Sequence, residues 1–510
     1  MTRKSTVRLN GGERVSFSNH VSTCVGTGRV SLALHDEYLK QLRRVQELCH
    51  FRYIRGHGLF SDQLGIYQER KGPDGQVRTE YCFTYLDRVV DAWASCGLKP
   101  FLELGFMPGA LASGSQTIFY WKGHVTPPRD MKAWTDLVQA TLRHLCSRYG
   151  TEEVSTWPCE IWNEPNLAGF WENADKQKYL ELYRATALAV KEAVPGMRVG
   201  GPAICGGEGS QEWIRDFLTF CRDGGLPVDF VTRHAYMGQT PEHRGRYLYH
   251  RMCRVEDTVE EMRVSRRIID SFPEYRGLPM YITEFNTSYN PFCPIHDTNL
   301  NAAYCAGLLS QLGDVADGYS YWTFGDVFEE QGIPPRPFHG GFGLVAEGAV
   351  EKPSVWAFSF FSRLRGEAVY RDERALLTKT ENGGYEGIFW NICQDEAEDA
   401  VISLDLPVED AKGGQYVLLS ETADEGHGNV LKAWHDLGEP ASLNEAERAF
   451  LKASAAPWCR TERLDAGNGR LKTEISLSPN AVSYVRLLPV QPETDEGYDY
   501  GWYRTGKERG

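Results

Sequence analysis

The stretch Cys159-Glu160-Ile161-Trp162-Asn163-Glu164-Pro165-Asn166 decides how this chain is to be read. Its first residues suit a short buried strand, and Pro165, which has no backbone N–H to give to a sheet, ends that strand just after Glu164. An acid delivered at the end of a buried strand and followed by a loop is how a (β/α)8 barrel presents chemistry at its C-terminal face. The pattern recurs in Pro279-Met280-Tyr281-Ile282-Thr283-Glu284-Phe285-Asn286, an apolar strand that again carries a glutamate at its end. Two carboxyl groups facing one another across a barrel mouth are the minimum equipment for cleaving a glycosidic bond. One protonates the leaving oxygen while the other attacks the anomeric carbon.

Working outward, eight segments before residue 330 read as strands: 23–26, 51–56, 100–106, 159–163, 198–202, 229–234, 279–284 and 318–324. Most are separated by helical patterns. In Met131–Tyr149, Trp134, Leu137, Val138, Leu142, Leu145, Cys146 and Tyr149 recur at steps of three and four, and Gly150 follows as a stop. Residues 178–194 behave likewise and end at Pro195-Gly196, and a last helix is expected over 353–364. Alternating strands and helices imply a parallel sheet, and eight units imply its closure into a TIM barrel. The loops 286–301 and 325–344 are long for a barrel and lie on the side of the two glutamates, which marks them as functional. From about residue 366 the texture changes to short alternating segments (385–390, 400–404, 415–419, 482–488) between acidic and Gly-rich turns, the pattern of a β-sandwich. The expected architecture is α/β: a barrel over 14–365, a β-sandwich accessory domain from 1–13 and 366–490, and a polar tail, 491–510. Tyr498, Tyr500, Trp502 and Tyr503 suggest that the tail grips a second subunit.

Composition excludes other classes. A net charge of −14 is wrong for nucleic acid and for anionic membrane surfaces. No apolar run approaches a membrane span, and the N-terminus lacks the apolar core of a secretory signal. The 13 cysteines, an odd number without a C-x-x-C pair, read as free thiols in a reducing cytoplasm. Gly26-Thr27-Gly28-Arg29-Val30-Ser31 mimics a dinucleotide fingerprint but has Ser31 where the third glycine belongs, and Gly340-Gly341-Phe342-Gly343 lacks the Lys-Ser/Thr of a phosphate loop. No His/Asp/Glu cluster shows metal spacing, so neither a cofactor nor a metal is expected. The sequon Asn286-Thr287-Ser288 falls two residues after Glu284, where a glycan would block the mouth, and is read as coincidence.

Long runs along the chain resemble the β-xylosidases of glycoside hydrolase family 39. They include Cys24-Val25-Gly26-Thr27-Gly28-Arg29, Tyr53-Ile54-Arg55-Gly56-His57-Gly58, the Asn163-Glu164-Pro165 stretch, Arg233-His234-Ala235-Tyr236, Tyr321-Trp322-Thr323-Phe324 and Phe338-His339-Gly340-Gly341-Phe342-Gly343-Leu344. The resemblance implies a retaining exo-glycosidase acting on terminal β-D-xylosyl residues of xylo-oligosaccharides, without cofactor, in the cytoplasm, as a homodimer or homotetramer. It implies Glu164 as acid/base and Glu284 as nucleophile. Asn163 would hold the sugar 2-hydroxyl, and His57 and Glu330 its outer hydroxyls. His234 and Tyr236 would stand beside the nucleophile, with Tyr236 donating its phenol proton to Glu284, and Trp322 would lie under the sugar ring. Other terminal specificities of the family (α-L-iduronidase, β-glucosidase, β-galactosidase) and a non-catalytic sugar-binding barrel remain as alternatives. Asp326, Glu329 and Glu330 in the strand-eight loop, with Arg336 as its one cation before Phe342, suit a neutral sugar. Trp322 and Phe328 are the expected wall against a hexose hydroxymethyl group.

Overall fold

A computed structural model describes residues 2–408 and 414–490. The barrel strands are Cys24–Arg29, Tyr53–His57, a third strand in two pieces (Lys99–Pro100 and Leu102–Leu104), Cys159–Ile161, Val199–Ile204, Phe230–Tyr236, Met280–Asn286 and Gly318–Tyr321. Each pairs in parallel with its neighbours, as strands joined by crossover helices must. The third strand closes the ring. Lys99 is in register with Tyr53 on one side, and Leu102 with Cys159 on the other. Around Phe101 the backbone changes partner, so that Phe101 N–H reaches the Ile54 carbonyl and Leu102 N–H the Pro158 carbonyl.

The expected strands are all present, though the third stops at Leu104 and the eighth at Tyr321, short of residues 106 and 324, and the difference in the fourth is the most informative. The fourth ends at Ile161, not at residue 163. Trp162 (φ 70°) and Glu164 (φ 43°) both adopt the left-handed region, which non-glycine residues enter at a cost of the order of 1–3 kcal/mol. Glu164 N–H is instead bound to the carbonyl of Ala203, 2.9 Å away near the end of the fifth strand. The chain therefore turns before Pro165, and Asn163 and Glu164 enter the mouth from a strained turn.

The helices follow their sequence pattern. Met131–Tyr149 buries Trp134, Leu137, Val138, Leu142 and Leu145, and the Asp130 carboxylate caps its first turn by accepting from the N–H groups of Lys132 and Ala133. Asn299–Leu312 is buried nearly all round, because the C-terminal sheet covers its outer face.

That sheet has six antiparallel strands in the spatial order Glu367–Arg371, Ala375–Lys379, Tyr385–Trp390, Val482–Pro489, Gln415–Ala423, Trp458–Asp465. Opposite it, Arg3–Arg8 runs parallel to Ala400–Pro407, which pairs antiparallel with Arg470–Leu477. Val7, Tyr385, Phe389, Ile402, Leu404 and Leu487 fill the space between them, which makes the unit a sandwich. Two helices, Val430–Asp436 and Glu445–Ser454, were not expected there. The second carries a capping box, Asn444 with Glu447, that is visible in the sequence. Both are shorter than an isolated helix needs to be, so packing of Trp434 and Leu451 against Phe338 and Val350 of the barrel side stabilises them. The tail 491–510, expected to join subunits, lies outside the described residues. No described helix is long and apolar enough to cross a membrane.

Candidate active site

A cavity of about 530 Å³ opens at the C-terminal mouth of the barrel, and His57, Glu164, Tyr236, Glu284, Trp322 and Glu330 line it. Asn163 and His234, fully buried, lie against its floor. The fold thus brings together all eight residues picked out in the sequence.

One carboxylate oxygen of Glu164, one of Glu284 and a ring nitrogen of His234 lie within 4.8 Å of one another. Such a triplet has the spacing of a metal-ligand set, which distances along the chain could not show. Its hydrogen bonds are those of an acid pair. His234 Nδ1 is 2.7 Å from Glu164 Oε1 and 3.4 Å from Glu284 Oε2, so this histidine serves Glu164 first and does not stand chiefly beside Glu284 as the resemblance implied. Tyr236 donates its phenol proton to Glu284 Oε2 at 2.7 Å. Burial, and after it the negative charge of Glu284, push the Glu164 carboxyl well above the ordinary range. Burial raises Glu284 as well, but the Arg55 guanidinium, His57 and the Tyr236 hydrogen bond pull it back. Both carboxyls are raised, Glu164 the further, and of the two only Glu284 has Arg55 and Tyr236 against it to favour the ionised form. Burial, then the charge of Arg55, holds His234 well below its usual value, so its imidazole is neutral.

Sequence reasoning missed the network beneath the pair. Arg55, with no exposure, donates from Nε to Glu160 Oε2 (2.5 Å), from Nη1 to Glu284 Oε1 (2.8 Å) and from Nη2 to Asn163 Oδ1 (2.8 Å). Its Nη2 also lies 3.0 Å from Glu103 Oε2, and Thr283 donates to Glu160 Oε1. The signal was present: Arg55, Glu103 and Glu160 are charges in the middle of strands that are otherwise buried, a placement that demands a partner. Held by Arg55, Asn163 turns its amide so that Nδ2 is buried without a partner.

Trp322 and Phe342 form one wall, with Phe328 behind them in edge-to-face contact with both. Phe328 itself is not among the cavity-lining residues. The first strand explains its glycines here. A Cβ on Gly26 would stand 2.5 Å from the Trp322 ring, and one on Gly28 would stand 2.9 Å from Phe328. The apparent dinucleotide motif is thus a seat for two aromatic rings.

The strand-eight loop departs from expectation. Asp326 and Asp297 both pair with fully buried Lys352, at 2.5 and 2.6 Å, and Glu329 pairs with Arg29. Only Glu330 of the three acids reaches the cavity, its backbone carbonyl held by the N–H of Tyr120 at 2.7 Å. Tyr120 belongs to a hairpin, Thr117–Ile118 with Gly123–His124, in the loop after strand three, which the sequence reading passed over. Arg336 points instead toward Glu439, 3.8 Å away. No Lys or Arg is among the described residues that line the cavity.

Residues 10–472 match the family described as glycosyl hydrolases family 39. The chain is 46% identical over 491 residues to a β-xylosidase of Geobacillus stearothermophilus, spanning 96% of each chain. The solved structure of a GH39 enzyme from Xanthomonas axonopodis pv. citri superposes with a TM-score of 0.86 at 32% identity, over 96% of this chain and 98% of the other. A structure described as a monomeric β-xylosidase from Caulobacter crescentus CB15 gives 0.84 at 31% identity, over 96% and 100%.

Proposed function

The chain belongs to family 39 of the glycosyl hydrolases, and from that premise we propose that it is a retaining β-xylosidase, releasing single β-D-xylosyl residues from xylo-oligosaccharides and β-xylosides. The observation that carries the stereochemistry is the approach of the Glu164 and Glu284 oxygens to within 4.8 Å. Carboxyl groups at about 5–5.5 Å favour direct attack, whereas an inverting pair stands ~6.5–9.5 Å apart to admit a water. In this reading Glu284, whose ionised form Arg55 and Tyr236 favour, attacks the anomeric carbon while Glu164 gives its proton to the leaving oxygen. Glu164, now a carboxylate, then takes a proton from the water that displaces Glu284 from the sugar. The unpaired Asn163 Nδ2 is positioned to donate to the sugar 2-hydroxyl, an interaction that strengthens as positive charge builds on the ring.

Two features favour a neutral pentose. An iduronide carboxylate would be buried with no cation lining the cavity to meet it. The wall made by Trp322 and Phe342 is backed by Phe328, so it cannot recede for a hydroxymethyl group. Aryl β-D-xyloside is expected to exceed aryl β-D-glucoside in kcat/KM by about 10–200-fold, the range for rejection by shape, and aryl α-L-iduronide to be turned over poorly or not at all. A panel of aryl glycosides with NMR of the first-formed sugar tests both parts; an inverted product or a preferred iduronide overturns the reading. All 13 thiols are unpaired, which suits a reducing cytoplasm, where short oligosaccharides would be the substrate. We keep a homodimer or homotetramer as the proposed assembly.

A further inference from the structure

One carboxyl group beneath the cavity is not used by the reaction described above. Glu103, the middle residue of Leu102–Leu104, is 1% exposed. Its Oε2 lies 2.7 Å from His57 Nδ1 and 3.0 Å from Arg55 Nη2, while its Oε1 is buried with no hydrogen-bond partner. The other ring nitrogen, His57 Nε2, stands 3.6 Å from Glu284 Oε1 and 3.8 Å from Glu330 Oε1.

A neutral imidazole carries one ring proton, and the bond made by one nitrogen decides what the other presents. With the proton on Nδ1, the ring donates to Glu103 and aims the Nε2 lone pair at two carboxyl groups 3.6 and 3.8 Å away, beyond hydrogen-bond reach. With the proton on Nε2, the ring donates into the cavity, and Nδ1 must accept a proton from Glu103. The orphaned Oε1 favours the second arrangement. An ionised Glu103 would leave a charged oxygen buried without a donor. A protonated one, with its hydroxyl on Oε2, leaves only a neutral carbonyl oxygen unpaired, at smaller cost.

We propose that Glu103 is a positioning residue which, by donating its carboxyl proton to His57 Nδ1, holds His57 as the Nε2–H tautomer and makes it a hydrogen-bond donor to a hydroxyl of the bound sugar. Burial pushes Glu103 up to about 8 against the pull of Arg55, and burial takes His57 down to about 3, so at neutral pH both groups are uncharged. The titratable and charged groups facing them are Arg55 on strand two, Glu160 and Glu164 on and after strand four, Glu284 on strand seven and Glu330 in the strand-eight loop. Above about pH 8 Glu103 ionises, the ring proton moves to Nδ1 to meet the new charge, and the donor in the cavity is lost. The kinetic part of this inference rests on the proposed roles of Glu164 and Glu284; the tautomer does not.

Two measurements test it. Two-bond ¹H–¹⁵N spectra of the full chain labelled at histidine, with His57 assigned by its loss in His57→Asn, should show the Nε2–H form at pH 6–7 and conversion to Nδ1–H as pH rises through about 8. The Nδ1–H form already present at pH 6 overturns the proposal. In a Glu164→Ala background with a dinitrophenyl xyloside, a leaving group needing no acid, the rate of leaving-group release per substrate concentration should fall about 10–100-fold above that pH, the worth of one hydrogen bond near charge. Adding Glu103→Gln should abolish the fall. A fall that persists in the double variant assigns it elsewhere and also overturns the proposal. Should Glu164→Ala release no leaving group at any pH, the assignment of the acid has failed, and the spectra still decide the tautomer.

Discussion

Glu284 accepts hydrogen bonds from Tyr236 and Arg55, whereas the close partner of Glu164 is the neutral ring of His234. The neighbours of Glu284 thus favour its ionised form, while Glu164, raised further, has none that does so as strongly. Glu284→Gln should abolish turnover of every substrate, because an amide cannot form the glycosyl ester. Glu164→Ala should keep glycosylation when the leaving group is good and stall at hydrolysis, and added azide should then release the β-glycosyl azide. Turnover by Glu284→Gln, or an α-configured azide product, contradicts the assignment. The two glutamates were legible in the sequence because each follows an apolar strand and sits where a barrel carries chemistry. Arg55, Glu103 and Glu160 were harder to place, since a charge inside a strand names no partner until the strands are closed into a ring. The partners here come from strands two, three, four and seven, and distance along the chain is silent on which of them meet.

At the scale of elements, the barrel and its order were readable from periodicity, and the loops only in part. The loops 286–301 and 325–344 announced themselves by length, but the acids of the second divide between Lys352, Arg29 and the cavity according to how the loop folds back. Nothing local in Asp326-Val327-Phe328-Glu329-Glu330 distinguishes the three. Gly26 and Gly28 were visible as a motif that fails as a dinucleotide fingerprint, and their purpose was not legible until the rings opposite them were placed. The contact predicts a graded pair of defects. In Gly28→Ala the new methyl meets Phe328 at 2.9 Å, the edge of a ring behind the wall. In Gly26→Ala it meets Trp322 at 2.5 Å and the Tyr321 carbonyl at 3.0 Å, so both the ring and the backbone must move. Overpacking of this kind costs about 1–3 kcal/mol. Both variants should therefore have lower Tm, with Gly26→Ala the lower, and Gly26→Ala should lose about tenfold or more in kcat/KM on aryl xyloside as Trp322 shifts into the cavity. Equal activity in Gly26→Ala and wild type would mean that Trp322 does not bound the sugar.

For the whole molecule, the change of texture near residue 366 marks a change of architecture, and we propose the division 14–365 against 1–13 with 366–490 as one of topology. Energetically the two parts share one core. Leu376, Ile388, Trp390, Val482 and Tyr484 of the six-stranded sheet belong to the same apolar cluster as the barrel helices, while the sandwich interior forms a separate one. The last barrel helix, Pro353–Arg363, is buried on every side: Phe360 stacks on Tyr484 with ring centres 5.8 Å apart, Trp356 donates to the Ala455 carbonyl at 2.9 Å, and Arg363 makes two hydrogen bonds to Glu421. The inserted helices extend the contact to the strand-eight loop through Trp434 on Phe338, so the loop that carries Glu330 is braced by the sandwich. If the sheet were removed, the barrel would expose this whole face, and a chain ending at residue 365 is expected to be insoluble. In the intact chain neither part can melt without opening the shared core, so calorimetry should show one endotherm, with loss of aryl-xylosidase activity following the same curve. Trp390→Ala removes a ring with no exposure from that core, at a cost of about 3–5 kcal/mol, and should move the single transition down as a unit. Separation into two endotherms, with activity lost only in one of them, would show that the sandwich does not brace the barrel and that the cores are independent.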